Sequence, residues 1–209
     1  LYIRSADGSG VPRLLIAPDT NGAYAAPHWS HDDAVFFHRT QTPTGRDLWM
    51  LPMSEGQEPQ AFLAPQADQS MAQRSPDGRF VAYQSGESGR MEVYVTSFPA
   101  AAGKWQVSVN GGILPRWSPG GDALFFVDSE YNALLNVPVK TMPTFLPGIP
   151  KQLFTGDAVR WVRGNPYQRN YDVARDGRIV VVQQVGTVDE ETPKITVVEN
   201  WAKEFDGRE

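Results

Sequence analysis

Short apolar runs alternate with clusters of turn-forming residues along most of the chain. In residues 74–98, RSPDGRFVAYQSGESGRMEVYVTSF, the runs FVAY and EVYV are each bounded by such clusters. Ser75-Pro76-Asp77-Gly78 has the composition of a tight turn, because proline presets φ at the second position and glycine accepts a positive φ at the fourth. The β-branched and aromatic residues of the runs favour strands. The pattern therefore predicts short antiparallel strands joined by hairpin turns.

The same pattern recurs along the chain. The positions that match Ser75 are Ser30, Ser118 and Ala174, so successive turns are 45, 43 and 56 residues apart. Each turn is followed by an apolar strand, a second turn and further strands. A period of about 40 to 50 residues with four strands per unit is typical of the blades of a β-propeller. The longest interval predicts an elaborated loop within residues 143–168.

The repeat predicts one all-β domain over residues 1–209, a β-propeller of about four to five four-stranded antiparallel blades. The predicted units are a partial blade at 1–26, blades at 27–69, 70–112 and 113–168, and a C-terminal partial blade at 169–209. Residues 1–16 align with the third and fourth strands of a unit, which leaves two arrangements open. The chain is part of a larger propeller, or residues 1–16 complete the last blade and close a ring of four. In the first arrangement, open blade edges favour a homodimer.

Composition agrees with this fold and narrows the possible functions. The chain has 41% hydrophobic and 21% charged residues, which is ordinary for a globular protein, and no apolar run is long enough to span a membrane. The 19 glycines and 17 prolines suit a turn-rich β protein. The absence of cysteine excludes disulfides and thiolate chemistry. A formal charge of −5 argues against nucleic acid as a partner.

The repeated motifs carry a resemblance to a known family. The units with SPDG, a following V-A-Y or L-F-F strand and then V-Y-V resemble the TolB-type propeller repeat, which is related to the WD repeats. RSPDGRFVAYQSGESGRMEVYV, GKWQVSVNGGILPRWSPGGDALFF and ITVVENW resemble the propeller region C-terminal to many bacterial transmembrane Ser/Thr protein kinases. The resemblance covers essentially the whole chain. It implies a sensor or docking module outside the membrane, in the periplasm or at the cell surface.

The sequence lacks a convincing catalytic or metal-binding motif. SGESGR, residues 85–90, is not G-x-S-x-G, and it lies in a predicted hairpin. His28, His31 and His38 fall within one unit, but no cysteine accompanies them, and structural or solvated roles fit them better. Asp19-Thr20-Asn21-Gly22 is only part of a calcium loop. We therefore predict no enzyme activity, no metal and no cofactor.

Ligand binding is expected at one mouth of the propeller channel. There the loops that lead into the innermost strands meet the loops between second and third strands. Arg160 to Tyr167, RWVRGNPY, combines aromatic and guanidinium groups suited to anionic or peptide partners, although such a loop also suits a cover over the mouth. Arg74 is unusual, since sister units have Trp29 and Trp117 there, which we expect to pack between blades. The predicted ligand-binding residues are Arg160, Trp161, Arg163, Tyr167, Arg74, Arg116, Arg46, Arg90 and Tyr131.

Three functions remain open at this point. The leading hypothesis is a non-catalytic sensor module of a Ser/Thr kinase-type receptor that binds an unknown protein, peptide or small molecule. The second is a propeller that gates substrate entry, as in prolyl-oligopeptidase-type peptidases. Against it, we expect ENWAKEFDGRE to be a chain terminus rather than a link into a hydrolase domain. The third is a purely structural scaffold.

Overall fold

The structure is a computed structural model that describes residues 1–18, 22–30, 34–41, 45–63, 67–155, 166–183 and 194–198. The described elements are β-strands arranged in five antiparallel sheets. The N-terminal hairpin consists of β1 (Tyr2–Ile3) and β2 (Arg13–Leu14). Blade 1 consists of β3 (Tyr24–Trp29), β4 (Ala34–Gln41), β5 (Gly45–Pro52) and β6 (Gln60–Leu63). Blade 2 consists of β7 (Gln69–Arg74), β8 (Phe80–Ser85), β9 (Glu92–Ser97) and β10 (Lys104–Gln106).

Two further blades follow. Blade 3 consists of β11 (Ile113–Trp117), β12 (Ala123–Val127), β13 (Ala133–Lys140), β14 (Leu146–Pro147) and β15 (Lys151–Thr155). Blade 4 consists of β16 (Tyr171–Val173), β17 (Ile179–Gln183) and β18 (Lys194–Val198). In each sheet, strands adjacent in the chain pair with one another, except that β14 and β15 both pair with β13. This architecture confirms the predicted all-β propeller of antiparallel blades.

Two details of the structure differ from what the sequence repeat predicts. The region predicted as an elaborated loop contains both β14 and β15, so blade 3 has five strands. Within the described strands, β1 pairs with β2 and not with β18, so residues 1–16 do not complete the last blade as one of the two arrangements required. In the described ranges, no helix is long and apolar enough to cross a membrane.

The SPDG turn between β7 and β8 is closed by the hydroxyl of a buried serine. Ser75 Oγ accepts a hydrogen bond from the backbone N–H of Phe80 at 3.0 Å and donates one to Asp77 Oδ1 at 2.6 Å. The N–H of Gly78 donates to the carbonyl of Ser75 at 2.9 Å, and Gly78 has the predicted positive φ of 75°. The turn thereby fixes the register at which β8 begins.

The sister turns keep this geometry with different side chains. In SPGG, where glycine replaces the aspartate, Ser118 Oγ donates instead to Asp122 Oδ1 at 2.7 Å and accepts from the N–H of Ala123 at 3.0 Å. In the fourth turn Ala174 has no hydroxyl, and closure rests on the backbone bond from the N–H of Gly177 to the carbonyl of Ala174, 3.1 Å long. The substitutions in the repeat therefore alter the turns without moving them.

A β-bulge interrupts the innermost strand of each of the first three blades. The pairing of β3, β7 and β11 shifts by one residue at equivalent places. The bulged residues Ala26, Met71 and Leu114 have positive φ values of 50°, 58° and 56°. Such values are uncommon for residues other than glycine, and a bulge bends the strand and re-aims the side chains that follow it. Those side chains form the functional site below.

Apolar clusters fill the spaces between neighbouring sheets. Ile16, Val35, Phe37 and Leu51 join the N-terminal hairpin to blade 1. The other clusters lie between blades 1 and 2 around Phe36 and Tyr83, between blades 2 and 3 around Phe80 and Phe126, and between blades 3 and 4 around Leu134 and Ile179. Each blade is therefore stabilised mainly by its neighbours, as expected for a repeat architecture.

We expect Ser75→Ala to destabilise the fold by about 1–2 kcal/mol, because it leaves the N–H of Phe80 and the Asp77 carboxylate without their buried partner. The free energy of unfolding in urea measures this. The control is Ser88→Ala in the exposed turn of the same blade, where the Ser88 hydroxyl donates to the carbonyl of Arg90 and the change should stay within about 0.5 kcal/mol. Equal losses in the two variants would contradict the role assigned to Ser75.

Candidate functional site

An open cleft lies where the four innermost strands run into the turns that begin at Ser30, Ser75, Ser118 and Ala174. Among these strands, β7 contacts β3 and β11, and β11 contacts β16. The cleft has a volume of about 670 Å³, and we call it the turn-side cleft. Residues of all four blades line it: His28, Trp29 and Ser30; Gln73 to Pro76; Arg116 to Gly120; and Asp172, Val173 and Arg175. This mouth of the channel is therefore a shared site that no single blade forms alone.

One ring of side chains in the cleft comes from equivalent positions of the repeat. His28, Gln73, Arg116 and Asp172 each stand two residues before the position that matches Ser75. In the first three blades they follow the bulge. The repeat thus places four chemically different polar side chains at one level of the channel, and this variation within a constant backbone is suited to selective recognition.

Gln73 and Trp117 hold blades 2 and 3 together at the cleft. Gln73 Oε1 accepts a hydrogen bond from the N–H of Trp117 at 2.7 Å, and Trp117 Nε1 donates to the carbonyl of Gln73 at 3.1 Å. The Trp117 ring is buried in the cluster between these blades, which confirms the packing role predicted for it. The same prediction is wrong for Trp29, which is 51% exposed on the cleft rim.

In blade 2, Arg74 occupies the position that Trp117 has in blade 3, and it keeps part of the packing role of that tryptophan. Its guanidinium lies over the ring of Phe98, with Cζ 4.0 Å from the ring centroid, and its Nε donates to the carbonyl of Gly78 at 2.8 Å. Burial lowers the pKa of Arg74, while the charge of Asp77 acts in the opposite direction. Arg74 therefore provides a planar cation between blades 1 and 2 at the edge of the cleft.

The charges that the described residues bring to the cleft are mostly positive. Among the described residues, Arg74, Arg116 and Arg175 line it together with one carboxylate, Asp172. Arg116 Nη2 forms an ion pair with Asp172 Oδ1, and the two side chains are 13% and 58% exposed. A cationic cleft in a chain of formal charge −5 is a local feature that attracts anionic groups.

The opposite mouth of the channel is covered by the segment that leads into blade 4. The carbonyl of Pro166 accepts a hydrogen bond from Gln84 Nε2 of blade 2 at 3.0 Å. Tyr167 reaches Asp68, between blades 1 and 2, and its hydroxyl donates to Asp68 Oδ2 at 2.7 Å. At the start of β16, the Tyr171 hydroxyl donates to the carbonyl of Leu114 in blade 3 at 2.7 Å. The segment from Pro166 to Tyr171 therefore ties blade 4 to the other blades.

Tyr167 sits in a compact polar cluster at this covered mouth. The Arg46 guanidinium stacks on its ring, with Cζ 3.5 Å from the centroid, and Arg46 Nη1 lies 3.0 Å from Asp68 Oδ2. Burial, with further contributions from Asp68, raises the pKa of Tyr167 to about 12. The His38 ring packs edge-on against Tyr167 at a centroid distance of 5.8 Å. Burial, reinforced by the charge of Arg46 and opposed by that of Asp68, lowers the pKa of His38 to about 4.

The structure divides the predicted ligand-binding residues between the two mouths. Arg74 and Arg116 line the turn-side cleft. Arg46 and Tyr167 contact each other at the covered mouth. Further members lie on the loops between second and third strands: Arg90, which pairs with Glu92 at 2.6 Å, and Tyr131, whose pKa is raised by burial. Arg160, Trp161 and Arg163 lie outside the described residues, so their role stays a prediction.

Sequence reasoning missed several residues of the cleft. Gln73, Asp172 and Arg175 line it without having been predicted. For Gln73 and Asp172 a signal existed, because both align with Arg116 in the repeat. Two histidines of the first unit, for which structural or solvated roles were expected, lie apart in the described part of the chain: His28 lines the cleft and His38 lies at the covered mouth. His31 is outside the described residues.

Solved structures with the same fold include TolB proteins and peptidases. TolB from Acinetobacter baumannii matches with a TM-score of 0.65 and 17% identity, over 94% of this chain and 45% of that chain. TolB from Agrobacterium tumefaciens matches with a TM-score of 0.56 and 19% identity, over 73% and 55%. A puromycin-hydrolysing peptidase from Mycobacterium tuberculosis matches with a TM-score of 0.67 and 15% identity, over 97% and 37%.

These likenesses show that the fold is a TolB-like β-propeller. The chain spans about two fifths to just over half of the length of these three proteins. No protein-family model matches the sequence, and no curated protein matches it either.

The covered mouth predicts a pH-dependent stability through His38. The pKa of His38 is lower in the folded chain, so the unfolded chain binds more protons below about pH 6.5, and stability falls as the pH drops towards 4. From about pH 7 to about pH 5 this group should cost about 2 kcal/mol. His38→Phe, which keeps a ring against Tyr167, should lose less stability over the same interval in urea titrations.

The matched control for this prediction is His28→Phe. It removes an imidazole from the turn-side cleft but leaves His38 with Arg46, Asp68 and Tyr167, so it should keep the larger loss. The assignment to His38 is wrong when the wild type and His38→Phe lose the same stability between the two pH values.

Proposed function

We propose that this protein is a non-catalytic binding module that recognises a protein, peptide or small ligand in the turn-side cleft. The observation that carries the proposal is the arrangement of the cleft. Four blades contribute polar side chains to one open mouth, and the other mouth is covered by residues 166–171. A concave site with convergent polar groups is the usual place for a ligand. The half-exposed ring of Trp29 adds the kind of aromatic surface that binding sites favour.

The engagement of the cleft serines supports the non-catalytic part of the proposal. Ser30 Oγ donates to the carbonyl of Ala34 at 3.0 Å, and the hydroxyls of Ser75 and Ser118 donate to carboxylates of their own turns. A nucleophilic serine instead requires a hydrogen bond to a general base such as histidine. The cleft serines are therefore turn-forming groups in this proposal.

We further propose that the module belongs to a Ser/Thr kinase-type receptor and works outside the membrane. The support is the resemblance of its repeat motifs to the propeller regions of such kinases. The second candidate is a propeller that gates a hydrolase domain, which is favoured by the match to the puromycin-hydrolysing peptidase over 97% of this chain.

Sequencing the DNA in frame on both sides of the codons for Leu1 and Glu209 separates these two contexts. The receptor proposal expects an upstream kinase domain followed by an apolar segment of about 20 residues. An adjoining α/β-hydrolase domain with a nucleophile elbow would instead establish the second candidate. An open reading frame with neither domain would remove the support for both contexts and leave the binding proposal to be judged by itself.

The binding proposal is tested by nuclear magnetic resonance of the tryptophan indole N–H groups. We expect members of a library of short peptides and small metabolites to shift the signals of Trp29 and Trp117, which line the cleft, and to leave that of Trp105 on β10 unchanged. The six indole signals are assigned with single Trp→Phe variants. Ligands that shift only signals outside the cleft, or a library without any ligand, would count against the proposal.

Two matched variants separate cleft binding from non-specific binding. Arg175→Trp places a bulky ring at the cleft mouth, so it should abolish the shifts of the Trp117 signal. Arg178→Trp changes an exposed arginine of the same turn whose Nε pairs with Asp176 at 2.8 Å, and it should leave these shifts unchanged.

A further inference from the structure

A second exposed surface lies on blade 3, where the end of β13 and β14 form a hairpin. We call residues 139–151 the blade 3 hairpin. Its side chains Met142, Leu146 and Ile149 are 69%, 60% and 81% exposed. A single exposed apolar side chain is ordinary, but three large ones on one short hairpin indicate an interaction surface.

The corresponding connections of the sister blades do not expose such side chains. The third and fourth strands are joined by residues 53–59, MSEGQEP, in blade 1 and by residues 98–103, FPAAAG, in blade 2. Each of these connections has one large apolar side chain, Met53 or Phe98, and it packs against an inter-blade cluster. Packing between blades therefore requires only one such side chain in a connection.

In the blade 3 hairpin, Phe145 has this packing role. Its side chain is 2% exposed, and its ring centroid lies 5.4 Å from those of Phe80 and Trp105 in blade 2. This aromatic cluster anchors the hairpin between the two blades. The exposed apolar side chains of the hairpin are therefore additional to what the fold needs, and they are held on a fixed backbone.

The blade 3 hairpin borders the turn-side cleft. The N–H of Val139 donates to the carbonyl of Asp122 at 2.8 Å, just after Ser118 to Gly120, which line the cleft. Arg79, directly after the SPDG turn of the cleft rim, donates to the carbonyl of Thr141. A ligand that fills the cleft can therefore extend over these two turns onto the hairpin.

The charge of the hairpin is positive. From residue 131 to residue 156 the sequence contains two lysines, Lys140 and Lys151, and no acidic residue. Both lysines are exposed. The exposed apolar side chains are thus flanked along the chain by two cations, and this arrangement complements a partner that carries carboxylates beside apolar side chains.

We propose that the blade 3 hairpin is a docking surface for a protein segment that combines apolar and acidic side chains, and that this segment extends from the ligand in the turn-side cleft. The inference rests on the proposed function, because it names the class of ligand as a protein or peptide. Burial of the apolar side chains supplies affinity, and the lysines steer the acidic partner. A lipid surface fits less well, since a flat bilayer cannot follow the concave cleft beside the hairpin.

The test uses short synthetic peptides selected by phage display against the full chain. We expect the selected sequences to combine aspartate or glutamate with leucine, isoleucine or phenylalanine. They should shift the methyl signal of Met142 and the indole signal of Trp29 in the cleft, and leave the methyl signal of the buried Met71 in place. The five methionine signals are assigned with single Met→Leu variants.

Matched double variants measure the apolar contribution of the hairpin. Leu146→Ser combined with Ile149→Ser should weaken peptide binding about ten-fold or more. The thermal unfolding midpoint should not change, because both side chains are exposed. The control is Val11→Ser combined with Leu14→Ser on the N-terminal hairpin, where the side chains are 87% and 45% exposed, and binding should stay within about two-fold of the wild type.

A charge reversal tests the lysines independently of the apolar change. Lys140→Glu combined with Lys151→Glu should slow the association of acidic peptides and make it less sensitive to added salt. Arg13→Glu, at an exposed position of β2, should leave the association rate within about two-fold of the wild type. Unchanged affinity in both hairpin variants overturns the inference.

The remaining outcomes separate this inference from the proposed function. Peptides that shift the cleft indole signals, but bind the hairpin variants as tightly as the wild type, would refute docking on the hairpin while the proposed function stands. A selection that yields no peptide would count against both. Binding to vesicles of phosphatidylglycerol and phosphatidylcholine that is lost in the serine double variant, without hairpin-dependent peptide binding, would identify a lipid surface and overturn the inference.

Discussion

The structure depends on the burial of each sheet's apolar face against the next sheet. A four-stranded sheet cannot bury both of its faces by itself, and here the clusters around Phe36, Phe80 and Leu134 each draw residues from two adjacent blades. Polar contacts fix the angle at which the blades meet. Gln73 bonds to the backbone of Trp117, and Gln84 Oε1 accepts the N–H of the bulged Leu114 at 2.8 Å. Because these glutamines bond to backbone, the contact holds while the side chains around it vary.

This constraint also explains the position of the candidate site. The bulges at Ala26, Met71 and Leu114 place an uncommon backbone conformation at the same level of three innermost strands. The side chains two residues after the bulged positions are His28, Gln73 and Arg116, and they face one cleft. Bulges are frequent next to functional sites because they re-aim side chains without disrupting the sheet. The backbone is therefore the same in these blades, while the side chain at one position per blade varies and determines the chemistry of the cleft.

Much of this fold follows from residues that lie close together in the chain. The serine turns depend on contacts over two to five residues, such as those of Ser75 with Asp77 and Phe80, so periodic spacing predicts them well. The carboxylate that accepts the hydrogen bond of the turn serine is Asp77 in one turn and Asp122 in the other, and both contacts are equally local. The cover over one mouth is different. Its contact between Tyr167 and Asp68 spans 99 residues, and no repeat unit contains both partners. A pattern within the units therefore cannot show which mouth is closed, although it suggests that a long loop could close one.

The same distinction applies to the charge in the cleft. Sequence alone indicates that Arg74 is out of place among the tryptophans of its sister units, but its position over Phe98 depends on how the end of β9 approaches β7. The electrostatic environment of Arg169 is still less visible in the sequence, because the aligned positions in the sister blades are Ala25, Ser70 and Ile113, and none of these is charged. Burial lowers the pKa of Arg169, and the charge of Arg116, which belongs to another blade, lowers it further. Two arginines separated by 53 residues thus influence each other through the packing of blade 3 against blade 4, which no pattern within a single repeat unit contains.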